Sequence, residues 1–236
     1  MKHKISILFL LLFVNLHSQS MQDSISCVTY KMGLIPNETI DNKVRSIEEK
    51  KRFEERKAAS ELIECKLYFT KDKSISSMVE KLDVENPFVY KIMAIRAQGV
   101  YFKDITTKEK IEQTSFGGML NIIHPYDEYK WEITNETKMI SGYKCYKAIC
   151  TYQEFSIKRN KMLTFNPEVW FAPELSFPFG PKGLDGVPGL VLEASFNSRT
   201  YFYASKIEFN IKGAPIKIEK PKNGRYITQE EYNRQL

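Results

Sequence analysis

The sequence predicts a mainly β protein: a single-domain antiparallel sheet, curved or folded over itself as a sandwich or half-barrel, with one N-terminal surface helix and a short C-terminal helix. Three observations carry this. From Glu61 onward, runs of alternating apolar and polar residues follow one another at hairpin-like spacing. Tyr, Phe and β-branched residues fill those runs, and such side chains suit a pleated surface. One long stretch ahead of them is rich in Glu, Lys and Arg and free of Gly and Pro, the composition of a helix.

The first residues carry a different signal. Lys2 and Lys4 give a basic start, the span Ile5 to Val14 is apolar but for Ser6, and small polar residues follow at Ser18 and Ser20. This is the order of a secretory signal peptide, here residues 1–20, ahead of one domain over 21–236. The run is about half the length that a membrane span needs. The expectation is export to the periplasm or the extracellular space, without a transmembrane anchor. Losing Lys2 and Lys4 from 35 basic residues, against 29 acidic ones, leaves a net charge of +4. So modest a surplus calls for no nucleic-acid partner.

Within the domain, Ile25 to Met32 reads as a short strand and Asp41 to about Ala59 as a helix. Val44, Ile47 and Phe53 make only a thin apolar stripe, so that helix lies on a surface. Then "ELIECKLYF" alternates, and "GVYFKDITTKEKIEQTSF" reads as two strands around a turn near Thr106 to Glu109. Lys73 to Ala97 reads as a short helix or a mobile segment. "MLNIIH", "YKWEIT", "YKCYKAICTY", "KMLTFNPEVWF", "GLVLEASF" and "TYFYASKIEFNI" continue the strand series, and "SIKRNK" is a polar hairpin tip. In "YITQEEYNRQL", Thr228 and Glu231 are spaced as a capping box for the last helix.

Four cysteines, Cys27, Cys65, Cys145 and Cys150, are candidates for disulfides in an oxidising compartment or for buried thiols. If Tyr143 to Tyr152 is one strand, Cys145 and Cys150 are about 16 Å apart and face opposite ways. They cannot then bridge each other, and any bridge from either must reach Cys27 or Cys65.

The most unusual stretch is "GPKGLDGVPGLVLEA", residues 180–194, with four glycines and two prolines in its first ten positions. Gly180-Pro181 ends the preceding segment in extended geometry. Asp185-Gly186 is a turn pair. Val187-Pro188-Gly189-Leu190 has the residues of a type II turn, which predicts positive φ at Gly189. A half-buried strand starting at Leu190 follows, with Leu192, Ala194 and Phe196 on one face. A phosphate cradle would lead into a helix and carry Lys-Ser/Thr after its last glycine, and this loop does neither.

The longer stretch "VWFAPELSFPFGPKGLDGVPGLVLEA", Val169 to Ala194, resembles the signature of the GLPGLI family of exported Bacteroidota proteins. Gly186 to Val191 fills the motif, with Val187 and Val191 where Leu and Ile are usual. "WEITNETKMISGYKCYKA" resembles the segment that precedes the motif in that family. The resemblance implies an exported protein of the cell envelope and brings no established activity.

Familiar catalytic constellations are scarce. His124 is the one histidine that remains after loss of the leader. "HPYDE", His124 to Glu128, joins an imidazole to two carboxylates, but Pro125 favours an ordinary turn over a metal site. "SGYK" matches a Ser-x-x-Lys spacing, yet it sits at a turn entering a strand rather than at a helix start. The resemblance implies a bacterial source, in which the sequons at Asn37 and Asn135 would be incidental. No catalytic, cofactor or metal residue is assigned.

The reading is a non-catalytic envelope protein that binds a hydrophobic or peptide ligand, or an envelope or outer-membrane protein, on its curved sheet. A structural or assembly role without a small ligand is the alternative, and a carboxylate-based hydrolase the second. The expected recognition surface, or failing that a structural loop, comprises Trp170, Phe171, Gly180, Pro181, Gly186, Pro188, Gly189, Leu190, Leu192 and Phe196. The stiff loop would hold the two flanking strand ends in a fixed relation there.

Overall fold

A computed structural model describes residues 24–35, 46–115, 118–156, 159–196, 199–213 and 216–234. The expected leader, residues 1–20, and the first residues of the expected N-terminal helix, 41–45, lie outside them. The elements in chain order are β1 (Ile25–Leu34), α1 (Ile47–Glu61), β2 (Glu64–Phe69), β3 (Lys73–Val79) and α2 (Pro87–Ala94). Then come β4 (Val100–Asp104), β5 (Glu109–Thr114), β6 (Leu120–Ile123), β7 (Glu132–Ile140), β8 (Tyr143–Ile149) and β9 (Tyr152–Ser156). The last are β10 (Lys161–Phe165), β11 (Glu168–Ala172), β12 (Leu190–Ser195), β13 (Thr200–Ile211), β14 (Arg225–Thr228) and α3 (Gln229–Asn233).

Twelve of these strands form one curved sheet in the order β14-β6-β5-β4-β3-β2-β1-β13-β12-β11-β8-β7, and β9 and β10 form a separate hairpin. The mainly β class and both flanking helices are as the sequence predicts. Pairing is antiparallel throughout except between β14 and β6, which makes the sheet mixed. While α2 lies between the paired strands β3 and β4, short connections join β2 to β3, β4 to β5 and β5 to β6. At one of them the Asp104 carboxylate accepts from the N–H groups of Thr106 (2.8 Å) and Thr107 (3.1 Å), closing the turn into β5.

Caps fix the helix ends. Ser46 and Glu49 make a capping box on α1, as Thr228 and Glu231 do on α3. α1 buries only Ala59 and Ser60 and leaves Ile47 exposed, so it is a surface helix anchored at its C-terminal end. The ambiguous stretch from Lys73 to Ala97 divides into β3 and α2. α2 is capped by Asn86 and buries Tyr90, Met93 and Ala94.

Three sequence readings are corrected. Tyr143 to Tyr152 is not one strand, because β8 ends at Ile149 and β9 begins at Tyr152. The Val187–Leu190 turn is not type II. The Gly189 N–H donates to Val187 O (2.8 Å), closing a three-residue turn at Pro188, while the Leu190 N–H donates to Leu175 O (2.8 Å). Gly189 is required for another reason: a Cβ there would lie 2.4 Å from the Ala172 carbonyl oxygen. Third, β12 is not half-buried, since Leu190, Val191 and Leu192 are all wholly buried. A register shift against β11 falls between Trp170 and Phe171, where the regular alternation breaks. Leu190 and Leu192 therefore join the main core cluster, whereas Val191, Ala194 and Phe196 join a second one.

All four cysteines are buried free thiols. Cys65 lies opposite Tyr30 in the β1–β2 ladder and Cys27 opposite Tyr68. Those positions alternate to opposite faces of the pair, so Cys27 and Cys65 do not meet. Burial pushes the Cys65 and Cys145 thiols up to about 11.

Candidate functional site

Residues opposite one another in a ladder share a face, and one face can be followed across β2 to β5. Phe69 on β2 is opposite Ser74 on β3, which faces Lys103 on β4, which faces Lys110 on β5. One step along, Leu67, Ser76, Tyr101 and Glu112 form the parallel row. The face thus changes from apolar on β2, through serines, to ionic on β4 and β5.

The Gly/Pro segment lies across this change as a strap, and its own side chains change in step. Phe177 meets Phe69 edge-on and Phe179 meets it at a tilt, with ring centroids 4.8 and 6.2 Å away. Lys182 and Asp185, a few residues on, cover the ionic part. Gly180 is extended, as the following proline predicts, and a Cβ there would collide with the Leu184 carbonyl at 2.0 Å. Lys182 is held in the left-handed region, at φ +53°. Leu184 and Val187 fold back onto Phe171, Val169 and Val191 to make the second core cluster.

Asp185, read from sequence as half of a turn pair, is instead a buried anchor. Its carboxylate lies 2.6 Å from Lys103 Nζ and 3.5 Å from Lys110 Nζ, and its carbonyl accepts from Trp131 Nε1 at 2.8 Å. Lys110 also pairs with Glu128 (2.9 Å) and donates to Gly183 O (2.8 Å). Lys103 and Lys110 sit over the rings of Tyr126 and Tyr129. The chain of contacts continues from Glu128 to His124 Nδ1 (3.2 Å), and from His124 Nε2 to Glu112 (3.3 Å). Glu112 in turn accepts from Tyr101 Oη at 2.9 Å. Lys182 Nζ donates to Gln98 O (2.8 Å) and stands 5.0 Å from the centre of the Tyr101 ring.

These groups wall a cavity of about 510 Å³ that Tyr152, Phe155, Gln229 and Asn233 also line. Burial alone would push the His124 imidazole down. The two carboxylates beside it outweigh that and hold it up at about 9. Burial would raise Glu128, but His124 and Lys110 bring it down to about 2. Glu112 is lowered in the same way, by His124 above all once burial is overcome. Lys182 is lowered by burial. At neutral pH the wall therefore holds an imidazolium between two carboxylates. Among the described residues no group of three or more His, Cys, Asp or Glu is placed to hold a metal ion.

Of the residues expected to form a recognition surface, Gly180 and Phe196 line this cavity. Phe171, Pro181, Leu190 and Leu192 are buried, the leucines and Phe171 within the core clusters. Pro188 and Gly189 form the turn into β12. Gly186, at φ +91°, has Lys103 Nζ 3.8 Å from where its Cβ would be. Trp170 is half-buried against the main core cluster, with Lys138 Nζ 4.3 Å from its ring centre and paired to Glu193. The sequence reading missed Tyr101, Lys103, Lys110, Glu112, Lys182 and Asp185. "HPYDE" was the available signal, because His124 contacts Glu112 and Glu128 contacts Lys110.

Residues 65–233 match the model of a family described as the N-glycanase peptide, N-terminal domain. The chain belongs to that family. The assignment overturns the GLPGLI resemblance. That likeness rested on a Gly-Pro-Gly turn, and close approach of Gly189 to the Ala172 carbonyl requires the last glycine whatever the ancestry. Two solved structures of PNGF-II share the fold. One, in space group P21, is 16% identical with a TM-score of 0.55, over 90% of this chain and 33% of that one. The other, in space group C2, is 16% identical with a TM-score of 0.53, over 89% and 32%. The chain thus spans about a third of the length of the structures it matches. No curated protein matches it. Among the described residues, no helix is long and apolar enough to cross a membrane.

Proposed function

We propose that this protein is an exported, non-catalytic recognition domain that binds a carbohydrate-bearing ligand in the cavity beneath the strap. Export rests on the basic, apolar and small-polar order of residues 1–20. The ligand class draws support from membership of a family named for an N-glycanase. The observation that carries the reading is the wall itself, where the rings of Tyr101, Tyr129 and Tyr152 stand among fixed hydrogen-bonding groups. Sugars present apolar ring faces edged with hydroxyls, and such a mixture receives both. It does not suit the purely hydrophobic ligand that the sequence suggests.

Hydrolysis by a carboxylate pair is the weaker reading. It needs one carboxyl that is protonated near neutral pH. Glu112 and Glu128 are both lowered, and both are committed to one imidazolium. The test is titration of the leaderless protein with N-linked glycopeptides and their free glycans, followed by calorimetry and amide chemical shifts. Saturable binding that Tyr152→Ala weakens, with no glycan released, is the expected result. Release of glycan, or absence of binding, overturns the proposal.

A further inference from the structure

Among the described residues, three buried side-chain polar atoms lack a hydrogen-bond partner: Ser76 Oγ, His124 Nε2 and Gln229 Oε1. Buried polar atoms are seldom left so, and each needs an explanation. Two of the three belong to residues that line the cavity. The third lies on the same sheet face, opposite Tyr101 in the β3–β4 ladder. His124 Nε2 is within ion-pair reach of Glu112, but not in line for a hydrogen bond.

The orientation of Gln229 is set from behind. Asn233 Nδ2 donates to Glu154, which leaves Asn233 Oδ1 to accept from Gln229 Nε2 at 2.8 Å. Gln229 Oε1 is thereby fixed as a free acceptor. Lys182 adds spare donors. Its ammonium has three N–H bonds and one protein acceptor, Gln98 O, and among the described residues no carboxylate lies within 4 Å of it. Lys103 and Lys110, by contrast, are both matched to carboxylates.

The cavity thus offers spare donors from the strap, Lys182, and an acceptor from α3, Gln229. We infer that it reads a secondary amide, whose carbonyl oxygen accepts from Lys182 and whose N–H donates to Gln229. A carboxylate would leave Gln229 unanswered and would meet Glu112, Glu128 and Asp185. A hydroxyl carries donor and acceptor on one atom, whereas the amide separates them, as the walls do. Such an amide has two sources, the acetamido group of an amino sugar and a peptide bond. The inference rests on the cavity proposed above as the binding site.

The experiment titrates the leaderless protein with N,N′-diacetylchitobiose, with cellobiose, which has hydroxyls in place of the acetamido groups, and with N-acetylglycine N-methylamide. Chitobiose is expected to bind at least about tenfold more tightly than cellobiose, because losing the amide leaves buried groups unpaired. Gln229→Met should remove that advantage. Gln229 is only partly buried on a short terminal helix, and an unchanged melting temperature shows that the variant is folded. If the blocked glycine amide binds instead and Gln229→Met weakens it, the amide reading stands with a peptide source, and the carbohydrate reading fails. Equal binding of the two sugars, or indifference to Gln229→Met, overturns the amide inference alone. Silence of all three ligands overturns both readings.

Discussion

Two parts of one sheet face contrast sharply. On β1 and β2, Val28, Tyr30, Cys65, Leu67 and Phe69 are buried beneath helix ends and Phe179. On β4 and β5, Tyr101, Lys103, Lys110 and Glu112 occupy continuing positions of the same ladders beneath Lys182 and Asp185. Both parts are covered by the same strap. The apolar part is held by dispersion and burial, which need fit but not particular partners. The ionic part needs counter-charges or fixed dipoles around its buried charges, because an unpaired buried charge is costly. It gains in return a set of fixed dipoles and charges around a cavity, which an apolar core cannot offer. The two serines of β3 mark the border.

The sharpest way to break the comparison is Asp185→Ala. It strips Lys103 of its carboxylate and weakens the hold on Lys110, so a loss of about 4 kcal/mol is expected in urea denaturation. Adding Lys103→Met with Asp185→Leu should restore much of it while abolishing ligand binding. A single variant that costs under about 1 kcal/mol would mean that the ion set is not a structural anchor. In the apolar part, Leu192→Ala should cost about 3 kcal/mol by leaving a cavity, with the ionic site and its ligand binding intact.

The two parts should also differ in their response to pH. His124 is raised from 6.5 to about 9, so its contribution is full below pH 6.5 and is lost as pH rises through 9. Glu128 is lowered from 4.5 to about 2, so its contribution is full above pH 4.5 and is lost as pH falls toward 2. The melting temperature should therefore be highest between about pH 4.5 and 6.5, with an alkaline decline worth about 3 kcal/mol. His124→Gln should flatten that alkaline limb, and an unchanged limb would assign the decline elsewhere.

A smaller effect is expected at Trp170, which is half-buried and outside both contrasted parts. Trp170→Ala should cost about 2 kcal/mol through lost contact with Lys138 and neighbouring core residues, and should leave cavity binding unaltered. Loss of binding with an unchanged melting temperature would move the recognition surface to that side. The smallest effect concerns the thiols. Cys65 and Cys145 should resist a thiol reagent in the folded protein and react on unfolding, since burial holds both thiols up at about 11. Reaction in the folded state would show that these strands open locally.

Much of this was legible in the chain. Alternation placed Tyr101 with Lys103 and Phe102 with Asp104, because side chains on a strand point to opposite sides at period two. Thr228 and Glu231 carry their capping box in their side chains, and residue types that close a helix are local; Ser46 and Asn86 cap by the same chemistry but were not read from the sequence. The glycines of the strap announced an unusual backbone. What the sequence by itself determined was the alternation within regular strands and the presence of most strands and both flanking helices; the break between β8 and β9 and the shift of β12 against β11 it did not. Only the tertiary structure decided that the face bearing Lys103 and Lys110 is covered rather than wet. It also decided that Asp185 is an ion partner rather than a turn residue. The physical reason is distance along the chain: Lys103 and Asp185 are 82 residues apart, and their attraction acts only once sheet pairing has brought the strap over β4.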